Sequence, residues 1–289
     1  MPAKPSSAPE VKTLLTGLAF GESPRWHEGR LWVSNWGTQE IIALDPDGQS
    51  EVIVRVPTTL PYSIDWLPDG RLLVVSGQER LVLCMEADGS LVTHADLTGL
   101  SDHGFNEIVV DGRGAIYVNG GGPMGGEGPA GMVVLITPDG SARQVAGGIA
   151  FPNGMAVTPD NTTLIVADSW ARRLTAFDIA ADGSLSTGRV WADLGDGAPD
   201  GICIDAEAAV WYADVPNKRC VRVREGGEVL QTVDFDRGCF ACMLGGADGR
   251  TLFVTAAEWR GFEHMFDDAR TGQVLSIRAP APGVGWPGR

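Results

Sequence analysis

Short apolar runs alternate with turn residues along the whole chain, and some of these runs begin with a polar residue. The stretch "FPNGMAVTPDNTTLIVAD" at 151–168 contains two such runs joined by a turn, with Asn153 at its head. The stretch "APDGICIDAEAAVWYAD" at 198–214 repeats this shape, with Asp200 in the equivalent position. Apolar runs of this length between turn residues are typical of β-strands. Since no helical apolar period extends beyond a turn or two, we predict a chain built from strands.

Comparison of the chain with itself finds six copies of this unit. The residues at the heads of the six copies are Glu22, Ser63, Asn106, Asn153, Asp200 and Ala241. The steps between them are 41, 43, 47, 47 and 41 residues. Each opening pair of strands is followed by two further β-rich runs, which gives the four strands of a propeller blade. We therefore predict an all-β fold, a six-bladed β-propeller with four antiparallel strands per blade, rather than a sandwich.

The last copy stops after its third strand, whereas the apolar run "EVKTLLTGL" at 10–18 belongs to no copy. We predict that this N-terminal strand pairs with the last blade, because the pairing closes the ring and removes an open sheet edge. Residues 1–289 then form a single propeller domain, with 1–10 as a flexible lead-in.

The composition narrows the functional classes. A net charge of −15 opposes binding to nucleic acid or to an anionic membrane surface, and no run approaches the roughly 20 apolar residues of a membrane span. The N-terminus lacks the apolar middle region of a signal peptide. Five cysteines, including the C-x-x-C step at 239–242, fit buried free thiols in a reducing compartment. We expect a cytoplasmic protein.

The heads of the repeats are candidates for a metal site. In a propeller the first strand of each blade lines the central channel, so equivalent heads converge at one mouth. Glu22, Asn106, Asn153 and Asp200 would bring two carboxylates and two amides together there. Facing carboxylates repel unless a positive charge lies between them, and such an oxygen set favours a calcium-like ion over a thiolate or imidazole zinc site. The alternative is that the Asn-Gly and Asp-Gly steps are ordinary turns, which does not explain Glu22.

The chain resembles the family of senescence marker protein (regucalcin), gluconolactonase and luciferin-regenerating enzyme, essentially from end to end. The motifs that carry the resemblance are "GESPRW" at 21–26, "FNEIVVDGRGAIYV" at 105–118, "FPNGMAVTPD" at 151–160 and "PDGICID" at 199–205. The resemblance implies one divalent metal in the channel, bound by Glu22, Asn153 and Asp200. It also implies that Asn106 contacts the substrate or a metal-bound water. Ca²⁺ is the expected ion, with Zn²⁺ and Mn²⁺ as alternatives.

One position departs from the pattern of the sugar lactonases. These typically carry an arginine two residues before the asparagine that matches Asn106, and this sequence has Gly104 there. We expect Asn106, His103, Tyr62 and Phe151 to contact the substrate. The aromatic residues expected near the channel mouth indicate a substrate less polar than an aldonolactone, and they are Trp26, Trp36, Tyr62, Phe105, Phe151 and Phe240.

The glycine-rich segment 119–131 interrupts the third unit. It is predicted to be a mobile flap over the channel, with Glu127 at its tip, or a disordered insertion. Its G-x-G-x-x-G pattern contains a proline and is followed by a strand, which argues against dinucleotide binding.

The predicted function is the metal-dependent hydrolysis of a lactone, with a small lactone or ester as the partner. Asp200 would ligate the metal and act as the base, and Asn106 would orient the carbonyl or the oxyanion. The absence of a G-x-S-x-G elbow argues against a serine hydrolase. The alternatives are a phosphotriester or fluorophosphate hydrolase and a non-catalytic calcium-binding propeller.

Overall fold

Six antiparallel sheets make up nearly all of the regular structure. The computed structural model describes residues 10–58, 60–123, 130–264 and 270–287, so most of the predicted lead-in lies outside the described residues. The helical content of this part is limited to two 3₁₀ turns, Trp36–Thr38 and Phe262–His264. Within the described ranges no helix has the length and apolar character needed to cross a membrane.

The sheets follow one another along the chain as the blades of a propeller. The first strand and the first two blades are β1 (Lys12–Leu18), β2 (Gly21–His27), β3 (Arg30–Asn35), β4 (Glu40–Leu44), β5 (Ser50–Arg55), β6 (Tyr62–Trp66), β7 (Leu72–Ser76), β8 (Leu81–Met85) and β9 (Leu91–Asp96). The third and fourth blades are β10 (Phe105–Val110), β11 (Ile116–Gly120), β12 (Gly131–Ile136), β13 (Ala142–Ile149), β14 (Pro152–Val157), β15 (Thr163–Asp168), β16 (Arg173–Asp178) and β17 (Arg189–Asp193). The remaining strands are β18 (Pro199–Asp205), β19 (Val210–Asp214), β20 (Arg219–Val223), β21 (Val229–Asp234), β22 (Gly238–Gly245), β23 (Thr251–Ala257), β24 (Gly272–Arg278) and β25 (Gly283–Val284). The predicted six-bladed β-propeller is confirmed.

The sixth blade combines the two ends of the chain. Its strand order is β1-β24-β23-β22, and β1 pairs antiparallel with β24 from Lys12 opposite Ser276 to Leu18 opposite Gly272. The prediction that an N-terminal strand closes the last blade is therefore confirmed. The pairing gives the outer edge of β24 a partner within the same chain.

The second strand of each blade is buried on both faces because neighbouring blades cover it. Val33, Val74, Val118, Val166 and Val254 lie in these strands and are fully buried. This burial explains why the strands are continuous apolar runs in the sequence instead of alternating polar and apolar residues. Burial of each valine contributes about 1.5 kcal/mol or more to the free energy of unfolding, so packing between neighbouring blades is a major source of stability.

A C-terminal segment crosses the face of the propeller opposite the heads, a feature that the sequence did not predict. β25 adds to the far end of β18, with Val284 opposite Ile204. Beyond it, the Trp286 carbonyl accepts a hydrogen bond from the Val157 amide at 2.8 Å. The segment therefore joins the fourth and fifth blades at that face.

All five cysteines are buried and carry free thiols, which confirms the interpretation of the C-x-x-C step as strand cysteines. Cys84, Cys203 and Cys220 lie in β8, β18 and β20, and both Cys239 and Cys242 lie in β22.

Candidate functional site

The four oxygen-bearing heads lie at irregularities of the inner strands. The pairing of β10, β14 and β18 with the following strand shifts across Asn106, Asn153 and Asp200, and the pairing of β2 with β3 shifts directly after Glu22. Bulges of this kind turn a side chain out of the regular ladder. All four residues line one cavity at the mouth of the channel. The shared register predicted from the repeats therefore brings them to the same place.

The Asn-Gly and Asp-Gly steps are not turns. Gly154 and Gly201 lie inside β14 and β18, and neither has a positive φ. A Cβ on Gly154 would lie 2.6 Å from the Asp200 carbonyl oxygen, and one on Gly201 would lie 2.4 Å from the Ala241 Cβ. These contacts are shorter than van der Waals distances, so the inner strands require glycine where they approach one another. The turn interpretation is wrong for this reason.

Hydrogen bonds connect the amide heads to their surroundings. The Asn106 side-chain amide donates to Asn153 Oδ1 at 3.3 Å, and the Asn153 amide donates to Ser169 Oγ at 3.4 Å. The Ser169 hydroxyl in turn donates to the Pro199 carbonyl at 2.6 Å. On the other side, the Ser63 hydroxyl donates to the Asn106 backbone carbonyl at 2.7 Å. The third, fourth and fifth blades are therefore linked at the mouth.

The carboxyl groups of Glu22 and Asp200 lie in surroundings that disfavour their ionised form. Glu22 is only 8% exposed, and burial, followed by repulsion from Glu107, raises its pKa to about 8. Burial also raises the pKa of Asp200 well above its usual range, with further contributions from Glu22 and Glu107. Both carboxyls can be ionised together only if a positive charge compensates them.

Deeper in the channel lies a buried charged cluster that the sequence analysis did not identify. Arg25 Nη2 donates to Glu107 Oε1 at 2.9 Å, and both side chains are almost completely buried. Asp65 accepts hydrogen bonds from the Trp66 and Val110 amides, and burial raises its pKa to about 6. The signal was present in the sequence, since each of these residues follows a repeat head within three positions on an inner strand.

The donors present fit a hard divalent cation. Among the described residues, this part of the channel contains four carboxyl groups and one guanidinium. The guanidinium belongs to Arg25, and the carboxyl groups belong to Glu22, Asp65, Glu107 and Asp200. Carboxylate and amide oxygens are the donors that Ca²⁺ and similar ions prefer. In the described ranges no three His, Cys, Asp or Glu residues gather as a metal-binding group, so amide oxygens would have to complete the set.

Above the heads lies a cavity of about 880 Å³. Every blade contributes to its wall, and its described lining comes from the starts of the inner strands and from loops at the same face. Its aromatic lining residues are Trp36, Phe105, Phe151, Trp170, Phe240 and Trp259. Phe151 stacks on Trp170 with ring centroids 4.7 Å apart, and Phe240 meets Trp259 edge to face at 5.8 Å.

The structure corrects part of the predicted pocket. His103 and Phe151 line the cavity as expected. Tyr62 is fully buried instead, because its hydroxyl donates to the Asn35 carbonyl at 2.6 Å, and its own carbonyl accepts from the Trp36 indole. Tyr62 therefore supports Trp36 from behind and is not positioned to touch a substrate. Trp26 stacks on Phe253, and neither residue is part of the cavity lining.

Two aromatic lining residues were missed by the sequence analysis. Trp170 and Trp259 each follow the second strand of a blade, β15 and β23. The end of a second strand lies at the same face as the head of the first strand, so the repeat alone could have identified them. The predicted flap at 119–131 is described only in part, and Glu127 lies outside the described residues.

Three curated relatives are similar in sequence. A 6-deoxy-6-sulfogluconolactonase from Pseudomonas putida is 27% identical over 54% of this chain, so the match spans only about half, 56%, of that relative. Regucalcin from Xenopus laevis is 30% identical over 82% of this chain and 83% of its own length. A pentonolactonase from Haloferax volcanii is 26% identical over 84% of this chain and 83% of its own length.

The fold also agrees with that of solved structures. A luciferin-regenerating enzyme superposes with a TM-score of 0.81 at 22% identity, over 96% of this chain and 98% of the other. The sequence profile of the family described as "SMP-30/Gluconolactonase/LRE-like region" matches residues 20–258. The chain therefore belongs to the SMP-30/gluconolactonase/LRE-like family.

Proposed function

We propose that this protein is a divalent-metal-dependent lactonase. The observation that supports this most directly is the meeting of two carboxyls, the buried Glu22 and the half-buried Asp200, with two amides at the base of a single cavity of about 880 Å³. Hydrolysis of a cyclic ester needs a carbonyl-polarising group, a base for water and a donor to the oxyanion. The names of two relatives, a sulfogluconolactonase and a pentonolactonase, support the same class of substrate.

Glu22, Asn153 and Asp200 would hold the ion, for which Ca²⁺ is our first choice and Zn²⁺ or Mn²⁺ the alternatives. A bound divalent ion supplies Lewis-acid polarisation of the ester carbonyl and lowers the pKa of water. The cluster around Arg25 lies beneath the ligands and fixes the inner strands that carry them. Glu107, paired with Arg25, keeps negative charge close to the site and so favours a cation there.

Asp200 would accept the proton of the attacking water, and Asn106 would stabilise the negative charge that develops on the carbonyl oxygen. The Asp200 carboxylate accepts a proton from the attacking water, whose oxygen forms the new bond to the carbonyl carbon. The Asn106 amide, oriented by its contact with Asn153, donates to the carbonyl oxygen as it becomes negative. When the ring C–O bond breaks, the leaving alkoxide takes the proton back from Asp200, and the hydroxy acid is the product.

The test is a panel of sugar, aliphatic and aromatic lactones assayed with chelator-stripped protein, before and after Ca²⁺, Mn²⁺ or Zn²⁺ is restored. We expect turnover that depends on the metal and a loss of about 10²-fold or more in kcat/KM for Asp200→Asn. The matched control is Asp178→Asn, an exposed aspartate at the end of β16 outside the cavity.

Two results would contradict the proposal. Faster turnover of phosphotriesters than of every lactone would identify a phosphorus-ester hydrolase. A rise in melting temperature with metal but no ester turnover would identify a non-catalytic metal-binding propeller.

A further inference from the structure

We propose that the substrate is an uncharged lactone bearing an apolar aryl or alkyl group, which packs against the stacked pair of Phe151 and Trp170. This inference rests on the proposed function and specifies its substrate class. Trp170 would be the main determinant of specificity. Four features of the cavity support the inference: the charges on its wall, the state of its polar groups, the aromatic face of Trp170 and the limited room at position 104.

The described wall has no lysine or arginine to balance a substrate anion. Its acidic lining residues are Glu22, Asp102 and Asp200. A bound divalent ion would offset only the two carboxyls at the base of the cavity. A sulfonate or phosphate on the substrate would therefore lose its hydration without gaining a lysine or arginine partner in the described wall, where His103 is the one basic side chain.

Three polar groups of the described wall already have partners within the protein, while Gln78, Asp102 and His103 also lie in the wall. The Ser169 hydroxyl donates to the Pro199 carbonyl, and the Asn153 amide donates to Ser169. The Trp36 indole N–H is occupied by the Tyr62 carbonyl at 2.6 Å. A polyhydroxylated ring would leave water and find few free partners, at a cost for each unpaired hydroxyl.

Trp170 forms an apolar platform at the rim. It is 39% exposed, which makes it one of the few large apolar side chains left in contact with solvent. Stacking on Phe151 at 4.7 Å with an interplanar angle of 17° holds the indole in place. A fixed, partly exposed aromatic face beside a cavity is suited to the apolar part of a ligand, because little side-chain freedom is lost on binding.

Position 104 has little room for a side chain. A Cβ on Gly104 would lie 3.1 Å from the Gly77 carbonyl oxygen. That oxygen already accepts hydrogen bonds from the Phe105 and Arg80 amides, at 3.1 and 3.2 Å, so it is fixed in place. The backbone of the second blade therefore disfavours a long polar or cationic side chain at this point of the wall.

Binding of lactams tests the inference separately from hydrolysis, since a lactam resembles the lactone but resists ring opening. Calorimetry would compare an aryl-substituted, a polyhydroxylated and a sulfonated δ-lactam on the metal-loaded protein. We expect the aryl lactam to bind about 10-fold or more tightly than the other two. Trp170→Ala should abolish this preference, and Trp170→Phe should restore most of it. The control is Val190→Ala, which truncates an exposed residue of β17 outside the cavity.

The inference is overturned if the polyhydroxylated or sulfonated lactam binds as tightly as the aryl lactam, if Trp170→Ala leaves the preference unchanged, or if no lactam binds. The corresponding lactones, assayed in parallel, test the proposed function. Aryl-selective binding with no lactone hydrolysis would refute the lactonase and leave the apolar site. Hydrolysis with a preference for polyhydroxylated lactones would support the lactonase and refute the apolar site.

Discussion

Ser23 shows how one residue can organise a site without entering it. Its φ of 48° lies in the left-handed region, which costs energy for any residue other than glycine. In this conformation its amide donates to Glu22 Oε2 at 3.1 Å and its hydroxyl donates to Glu107 Oε1 at 3.2 Å. The same hydroxyl accepts from the Ile64 amide at 3.1 Å. The inner strands of the first three blades are thereby joined beside Glu22.

The pKa of Glu22 predicts how the metal-free protein responds to pH. Folding raises this pKa from an ordinary carboxyl value to about 8, so between these pH values the folded state holds a proton that the unfolded chain releases. The stabilisation is complete below the ordinary value and is lost as pH rises to about 8. Asp65, with a pKa of about 6, acts in the same direction.

We therefore expect the chelated protein to melt at a lower temperature at pH 8 than at pH 5.5. Differential scanning calorimetry across this range would measure the change, and Glu22→Gln should make it smaller. Saturating divalent ion should weaken or reverse the trend, because the ligands must be deprotonated to bind metal. A melting temperature of the chelated protein that rises steadily with pH would contradict the assignment.

At the scale of the strand, the repeat predicted the positions of the inner strands and their heads. It did not predict the local irregularities of pairing within those strands. The heads could be aligned because Asn153 and Asp200 recur in one register. The bulges at these heads were not predicted, since an unpaired residue has no compositional signature. Tyr62 was misplaced for a related reason: β6 pairs with β7 without a shift, so Tyr62 and Ser63 point to opposite faces of the sheet, and both are buried. β25 is too short for periodicity to detect.

The close approach of β14 to β18 predicts that Gly154→Ala is destabilising. The added methyl would lie 2.6 Å from the Asp200 carbonyl oxygen and the Ile202 amide, so the two strands must separate. We expect a loss of about 1–3 kcal/mol in the free energy of unfolding. Divalent affinity should fall as well, because Asn153 and Asp200 would move apart.

Urea denaturation and calorimetric metal titration would measure the two effects of Gly154→Ala. Gly99→Ala is the matched control, since no atom lies within 4 Å of a Cβ at that glycine and its φ is not positive. Equal stability of the two variants would show that the strands have room to separate.

At the scale of the molecule, both ends of the described chain contribute to holding the ring. β1 completes the sixth blade, and the segment containing β25 and Trp286 links the fourth and fifth blades across the opposite face. Because the blades repeat around the axis, the lining residues of all six meet at one mouth. The described wall of this mouth contains Glu22, Asp102 and Asp200 but no lysine or arginine, and the chain has a net charge of −15, so we expect a negative field there.

The acidic mouth affects how the substrate enters the cavity and how the product leaves it. In the proposed reaction, substrate and product would both pass through this mouth, and ring opening would turn a neutral lactone into a carboxylate. The negative field would not hinder entry of the neutral lactone, but it would repel the carboxylate product. Ring opening would therefore itself favour release of the product. We expect the hydroxy acid to compete with its lactone with an inhibition constant about 10-fold or more above KM, and to compete better when salt screens the field. Inhibition assays at about 20 and 500 mM salt would measure this, and stronger inhibition at low salt would mean that the product is retained by its charge instead of expelled.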